Sequence, residues 1–191
     1  LKELFERYLS DHAEKHKKAR SVYEDRNLIA ALLEPTFGRT KVKDISRGDI
    51  AKWHAKLSKT PYRANRALAC LSKALSLTEI RGLRETGTNP CPGVTKFKEE
   101  KRKRFLSTDE YASLFQTLDA AVSGDLVTPK GSLLSPVACA AIRLLVQSGA
   151  RKSEILGLEW DWINQHGGFA ELPDSKTGAR RLYFDDGALA V

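Results

Sequence analysis

The sequence predicts a mainly α protein that ends in a small α+β portion, and three observations carry this. Apart from a turn-rich break at 84–106, apolar residues recur at helical spacing over roughly the first 160 positions. Helix start and stop signals punctuate that stretch at intervals typical of short helices. Only after Trp160 does the period fall to two, as a β-hairpin requires.

Taken in order, Leu1, Leu4, Phe5, Tyr8 and Leu9 mark a first helix, and Val22, Leu28, Ile29, Leu32 and Leu33 a second, which Pro35 and Gly38 are expected to end. Ser46 with Asp49 forms a capping box for a third helix through Ile50, Trp53 and Leu57. Thr60-Pro61 reads as N-cap and first position of a long fourth helix that stops near Gly82. Residues 1–83 therefore read as a four-helix bundle. From 84 to 106, turn formers (Gly87, Asn89-Pro90, Pro92-Gly93) precede the charge run Glu99 to Arg104, the composition of an inter-domain linker. Residues 107–191 form a second domain. Ser107 and Glu110 cap a helix through Leu118, and an apolar helix runs to Ser148 with Gly149 as its stop. A shorter helix is expected from Arg151 to about Trp160. A hairpin then pairs Phe169–Leu172 with Arg181–Phe184, with Lys176 at its bend.

Composition excludes several classes. With 41% apolar and 29% charged residues, the 191-residue chain is neither disordered nor fibrous. No apolar run reaches the roughly 18 residues of a membrane span, since the best, Leu133 to Ala150, holds Arg143 in its middle. No membrane partner is expected. Charged residues fill the first turns, so no signal peptide is read there. Cys70, Cys91 and Cys139 have no CxxC spacing and no even count, which points to reduced thiols and a cytoplasmic setting. A start at Leu1 with no methionine anywhere reads as a piece of a longer protein.

Charge is unevenly spread. Leu1 to Leu106 holds 25 basic and 13 acidic residues, whereas Ser107 to Val191 holds 7 and 11. A first half at +12 beside a second at −4 suggests a polyanion partner for the first. A well-solvated helical surface would give the same counts. On the fourth helix Ala64, Ala67, Leu68, Leu71 and Leu75 share one face, and Arg63, Arg66, Lys73 and Arg81 a stripe roughly 140° away. These four cations, with Lys41 and Lys43 ahead of the third helix, are the expected DNA contacts. Asn65, on the same helix, has the chemistry to read an adenine edge.

Two stretches carry chemistry, Ser148-Gly-Ala-Arg151-Lys-Ser-Glu154-Ile-Leu-Gly-Leu158 and Asp174-Ser-Lys176-Thr-Gly-Ala-Arg180. Arg151 opens a helix after a glycine turn, where backbone N–H groups and the helix dipole favour an anion. Its guanidinium matches two phosphate oxygens in a fork, and Glu154 is spaced to orient it from behind. Lys176 is a candidate general acid. The run Gly149 to Ser153 is not a phosphate-binding P-loop, because Arg151 rather than glycine precedes Lys152 and a helix precedes the loop. His12 and His16 lack a third ligand, so no metal site is expected. Trp160 and Trp162 read as core residues.

In order and spacing, the arginine helix followed 25 residues later by the lysine hairpin resembles the tyrosine recombinases of the phage integrase family. The resemblance extends to the front of the chain. It implies a four-helix, SAM-like core-binding domain and a basic linker ending Arg104-Phe-Leu-Ser-Thr-Asp-Glu110, followed by the first helices and hairpin of an α+β catalytic domain that is truncated here. The implied reaction is transesterification on double-stranded DNA through a 3′-phosphotyrosine intermediate, with no cofactor. Arg151 would be the first catalytic arginine, Lys176 the acid for the 5′-oxygen and Glu154 the buttress. A homotetramer on DNA and a bacterial or phage source are implied for the full-length protein. The family's His-x-x-Arg motif and nucleophilic tyrosine are absent from these 191 residues, and Tyr183 reads as a strand residue. The fragment is therefore expected to bind DNA without cleaving it. A non-catalytic DNA-binding relative, acting as repressor or architectural factor, and a helical protein adaptor are the alternatives.

Overall fold

The first two predicted helices form two continuous helical rods in the computed structural model, which describes residues 1–100, 103–126, 134–175 and 178–189. One rod comprises α1 (Lys2–Tyr8), a π-helical turn (Leu9–Ala13) and α2 (Glu14–His16). The other comprises α3 (Ala19–Leu28), a second π-helical turn (Ile29–Leu33) and α4 (Glu34–Phe37). Pro35 does not end the second rod as expected from sequence. The π turn gives the Glu34 N–H to the Ile29 carbonyl, so Pro35 falls in the first turn of α4, where a missing N–H costs little.

Helix α5 (Arg47–Lys56) carries the predicted capping box: the Asp49 N–H donates to Ser46 Oγ at 3.2 Å, and the Ser46 N–H to Asp49 Oδ2 at 3.2 Å. Helix α6 (Pro61–Ile80) begins at Pro61, but Thr60 makes no side-chain cap, because its hydroxyl donates to the Leu57 carbonyl instead. The buried face of α6 is the one predicted: Ala64, Ala67, Leu68, Leu71, Ala74 and Leu75 are all buried. The three alanines of that face admit close approach of α1, α3 and α5, and Phe5, Tyr8 and Ile50, with Ile29 of the second π turn, fill the same core region.

Residues 84–100 contain no helix or strand, as their turn formers suggest. They are nonetheless packed on the bundle rather than strung out as a solvated linker. Cys91 and Val94 are buried. Arg84 donates to the Val42 carbonyl at 2.7 Å, and Asn89 Nδ2 to the Ser72 carbonyl at 2.9 Å and Ser76 Oγ at 2.8 Å. Phe97 stacks on the buried His54 ring at 4.4 Å. The chain accordingly divides into two compact units, Leu1–Arg102 and Lys103–Val191.

In the second unit α7 (Thr108–Ser123) starts with the predicted Ser107–Glu110 capping box. Helix α8 (Pro136–Ser148) stops at Gly149, whose φ of +62° is a left-handed conformation that glycine adopts without strain. Helix α9 spans only Lys152–Leu156, shorter than expected, since Gly157 caps it and a 3₁₀ turn (Trp160–Trp162) follows. Strands β1 (Ile163–Asn164), β2 (Phe169–Leu172) and β3 (Arg180–Tyr183) form an antiparallel sheet in that order, with Ala170 opposite Leu182 and Leu172 opposite Arg180. A last helix, α10 (Asp186–Leu189), follows. Ile155, Leu172 and Leu182 form the core beneath the sheet, with Trp162 packed against them. Trp160 is 80% exposed, contrary to its reading as core, because the 3₁₀ turn sends only Trp162 inward.

One residue fastens residues 97–99 to the bundle. Asn65 Oδ1 accepts the Phe97 N–H at 3.0 Å, while its Nδ2 donates to the Phe97 carbonyl and to Glu99 Oε1, both at 2.8 Å. Truncating it strands buried polar groups, so Asn65→Ala is expected to destabilise the first unit by about 2–3 kcal/mol in urea unfolding. A loss below about 0.5 kcal/mol, the scale of a neutral surface change, would mean the segment is held by other contacts.

Candidate functional site

The turn at Gly149 and the length of α9 place Arg151 at the helix N-cap and Glu154 in its first turn. Glu154 is the centre of the arrangement. Its side chain is only 4% exposed, and both carboxylate oxygens are engaged. Oε1 accepts from Arg151 Nη1 at 2.8 Å. Oε2 accepts the Arg151 backbone N–H at 2.8 Å and Arg180 Nη2 at 2.7 Å. The two guanidiniums stay partly open, at 44% exposure for Arg151 and 37% for Arg180, and two cations around one carboxylate leave one net positive charge. Arg151, half open at the start of the helix and held by the carboxylate, presents a planar fork of donors suited to a phosphate.

The sequence paired Arg151 with Glu154 but gave Arg180 no role. Its signal is the alternation of β3: Leu182 is buried against Ile155, so Arg180, two residues earlier, shares the face toward α9. Its neighbour Arg181 takes the other face, where it donates to Glu171 Oε1 at 2.9 Å and lies over the Phe169 ring at 4.7 Å. Lys176 lies outside the described residues. On either side of the undescribed pair, Ser175 Oγ donates to the Gly178 carbonyl at 2.6 Å. Tyr183 is an exposed residue of β3, as expected.

In the first unit Arg63, Arg66 and Lys73 are exposed on α6. Arg63 and Arg66 border an open groove of about 1000 Å³ between α3 and α6, together with Arg20, Glu24 and Tyr62. Arg81 follows α6 and is paired with Asp11 at 2.8 Å. Lys41 and Lys43 are exposed but stand apart from this groove, flanking Val42, whose carbonyl accepts from Arg84 beyond the far end of α6. Asn65 does not face a partner: it is buried and committed to Phe97 and Glu99. Among the described residues no cluster of three or more His, Cys, Asp or Glu is arranged to hold a metal ion, and no helix is long and apolar enough to cross a membrane.

Hydrogen bonds from Arg180 and from the Arg151 backbone hold the Glu154 carboxyl down at about 2, against an ordinary 4.5. The folded state therefore binds fewer protons at this group than the unfolded chain. The stabilisation is complete above about 4.5 and is lost as pH falls through about 2. Glu154→Gln is expected to flatten the acid limb of the second unit's urea midpoint across that window. Coincident acid limbs in the two proteins would show that the carboxylate is not held this way.

Residues 1–58 match the family of phage integrase N-terminal SAM-like domains. No curated protein matches the sequence. Solved structures match over nearly the whole chain. A lambda integrase tetramer bound to a Holliday junction superposes with a TM-score of 0.74 at 20% identity, covering 97% of this chain and 52% of that one. A lambda integrase dimer on a COC′ core site gives 0.74 at 20% identity, covering 96% and 62%. The Tn1549 transposon integrase in complex with transposon right end DNA gives 0.71 at 15% identity, covering 98% and 62%. The chain thus spans between half and two thirds of the length of these structures. With a SAM-like match at its front and an integrase-like course throughout, it has the fold of the tyrosine recombinases of the phage integrase family.

Proposed function

We propose that this chain is the DNA-binding unit and the first half of the active site of a site-specific DNA recombinase. The observation that carries the reading is Arg151, fixed at the start of α9 by Glu154, in a fold shared with integrases solved on DNA. Transesterification at a phosphodiester passes through a pentavalent phosphorane that gathers negative charge on its oxygens. A guanidinium already in place stabilises that state more than the ground state, whereas a freely swinging one would first have to be ordered. Arg151 is the residue assigned to that charge, and Glu154 holds its direction. Lys176 is assigned to protonate the departing 5′-oxygen, while a tyrosine hydroxyl from outside these 191 residues forms the bond to phosphorus. Reversal by a 5′-hydroxyl of another strand restores a phosphodiester, so the cycle needs no cofactor and no net hydrolysis.

The first unit supplies the grip on double-stranded DNA. Arg63 and Arg66 along the groove, with Lys73 further along α6, present cations to the phosphate backbone. For the full-length protein we carry over the tetrameric assembly on DNA described for lambda integrase. The cytoplasmic setting we assign to it rests on its three free, widely spaced cysteines.

The 191-residue chain is expected to bind duplex DNA with affinity that falls steeply as salt rises. Reversing Arg66 and Lys73 to glutamate is expected to lower affinity at least tenfold and to reduce the log–log salt slope by about 2, one per lost phosphate contact. Affinity independent of salt would overturn the DNA reading. An unchanged slope in the double variant would take α6 out of the interface.

A further inference from the structure

We propose that Arg180 is a positioning residue for the phosphate-binding arginine: by clamping Glu154 from β3 it fixes the direction of Arg151 and ties the hairpin to the arginine helix. The inference rests on the reading of Arg151 as the phosphate ligand.

The geometry carries it in three steps. First, Arg151 donates to Glu154 through its side chain at 2.8 Å and through its own backbone N–H at 2.8 Å, so wherever the carboxylate turns, the guanidinium must follow. Second, every contact just named lies within one turn of a helix of five residues, a piece of structure too short to be rigid by itself. The one further described hydrogen bond to the Glu154 carboxylate comes from Arg180, 26 residues away on a different element, at 2.7 Å. Third, Arg180 is held in turn by the sheet. Leu172 lies opposite it in the register, and Leu182, on its own face of β3, is buried against Ile155, the residue next to Glu154. Burial of Leu182 therefore sets the height at which Arg180 meets the carboxylate. Without Arg180, Oε2 keeps only the backbone N–H, and the carboxylate loses the contact that opposes its rotation toward Arg151.

The adjacent arginine provides a control of equal charge. Arg181 points to the opposite face and bonds Glu171, so its loss removes the same charge without touching Glu154. In the 191-residue chain, Arg180→Met is expected to raise the carboxyl titration of Glu154, followed by carbon-13 NMR, and to speed proton exchange at the Arg151 guanidinium. Arg180→Lys should recover part of both changes, and Arg181→Met should cause neither. In the protein expressed from its complete reading frame, Arg180→Met is expected to slow covalent attachment to nicked DNA at least tenfold with DNA affinity within twofold of Arg181→Met.

The outcomes separate the two claims. If the unsubstituted protein forms no covalent complex, the recombinase reading fails, while the NMR comparison still decides whether Arg180 orients Arg151. If the unsubstituted protein reacts and Arg180→Met matches Arg181→Met in rate, or if the Arg151 exchange rate is the same in both variants, Arg180 is not a positioning residue. Recovery by lysine of folding alone, without recovery of rate or exchange, would equally overturn it.

Discussion

The Glu154 carboxylate is buried, ionised and shared by two arginines, and the candidate site is built around it. An anion that deep is tolerated only when its oxygens are saturated by well-placed donors, and three N–H groups supply them here. The reward is direction rather than stability. A guanidinium on a flexible stem samples many rotamers, and the carboxylate selects one that leaves Arg151 partly open. The short helix, the glycine stop before it and the sheet behind it all serve to bring those donors to one point. The same carboxylate makes the site depend on the hairpin, because one of the three donors comes from β3.

The first unit solves a different problem. Helix α6 buries an alanine- and leucine-rich face in the bundle and leaves arginines on its other side. Asn65 sits between these roles: a polar residue at the edge of the buried face, it pins residues 97–99 and so fixes where the chain leaves the bundle.

Local signals were legible in the sequence where chemistry acts over three or four residues. The capping boxes at Ser46 and Ser107, the stop at Gly149 and the pairing of Arg151 with Glu154 are all of that kind, and all four are present. Features set by distant partners were not. Pro35 reads as a breaker unless the π turn before it is known. Asn65 looks free to read a base until Phe97 is seen to take both its amide groups. Between Arg180 and Arg181 nothing local chooses, because the choice depends on which face of β3 is buried, and Leu182 reveals that only once it is placed against Ile155. Trp160 likewise reads as core by type, while the 3₁₀ turn decides that Trp162 takes the inner position.

The proposed function stands or falls with Arg151 meeting a phosphate undergoing transfer. The most direct measurement is covalent trapping on a nicked duplex, using the protein from its complete reading frame with and without Arg151→Ala. A denaturant-resistant protein–DNA adduct through a 3′-phosphate is expected in the unsubstituted protein, and its loss in the variant with DNA affinity largely retained. An adduct that accumulates at the same rate without Arg151 would contradict it.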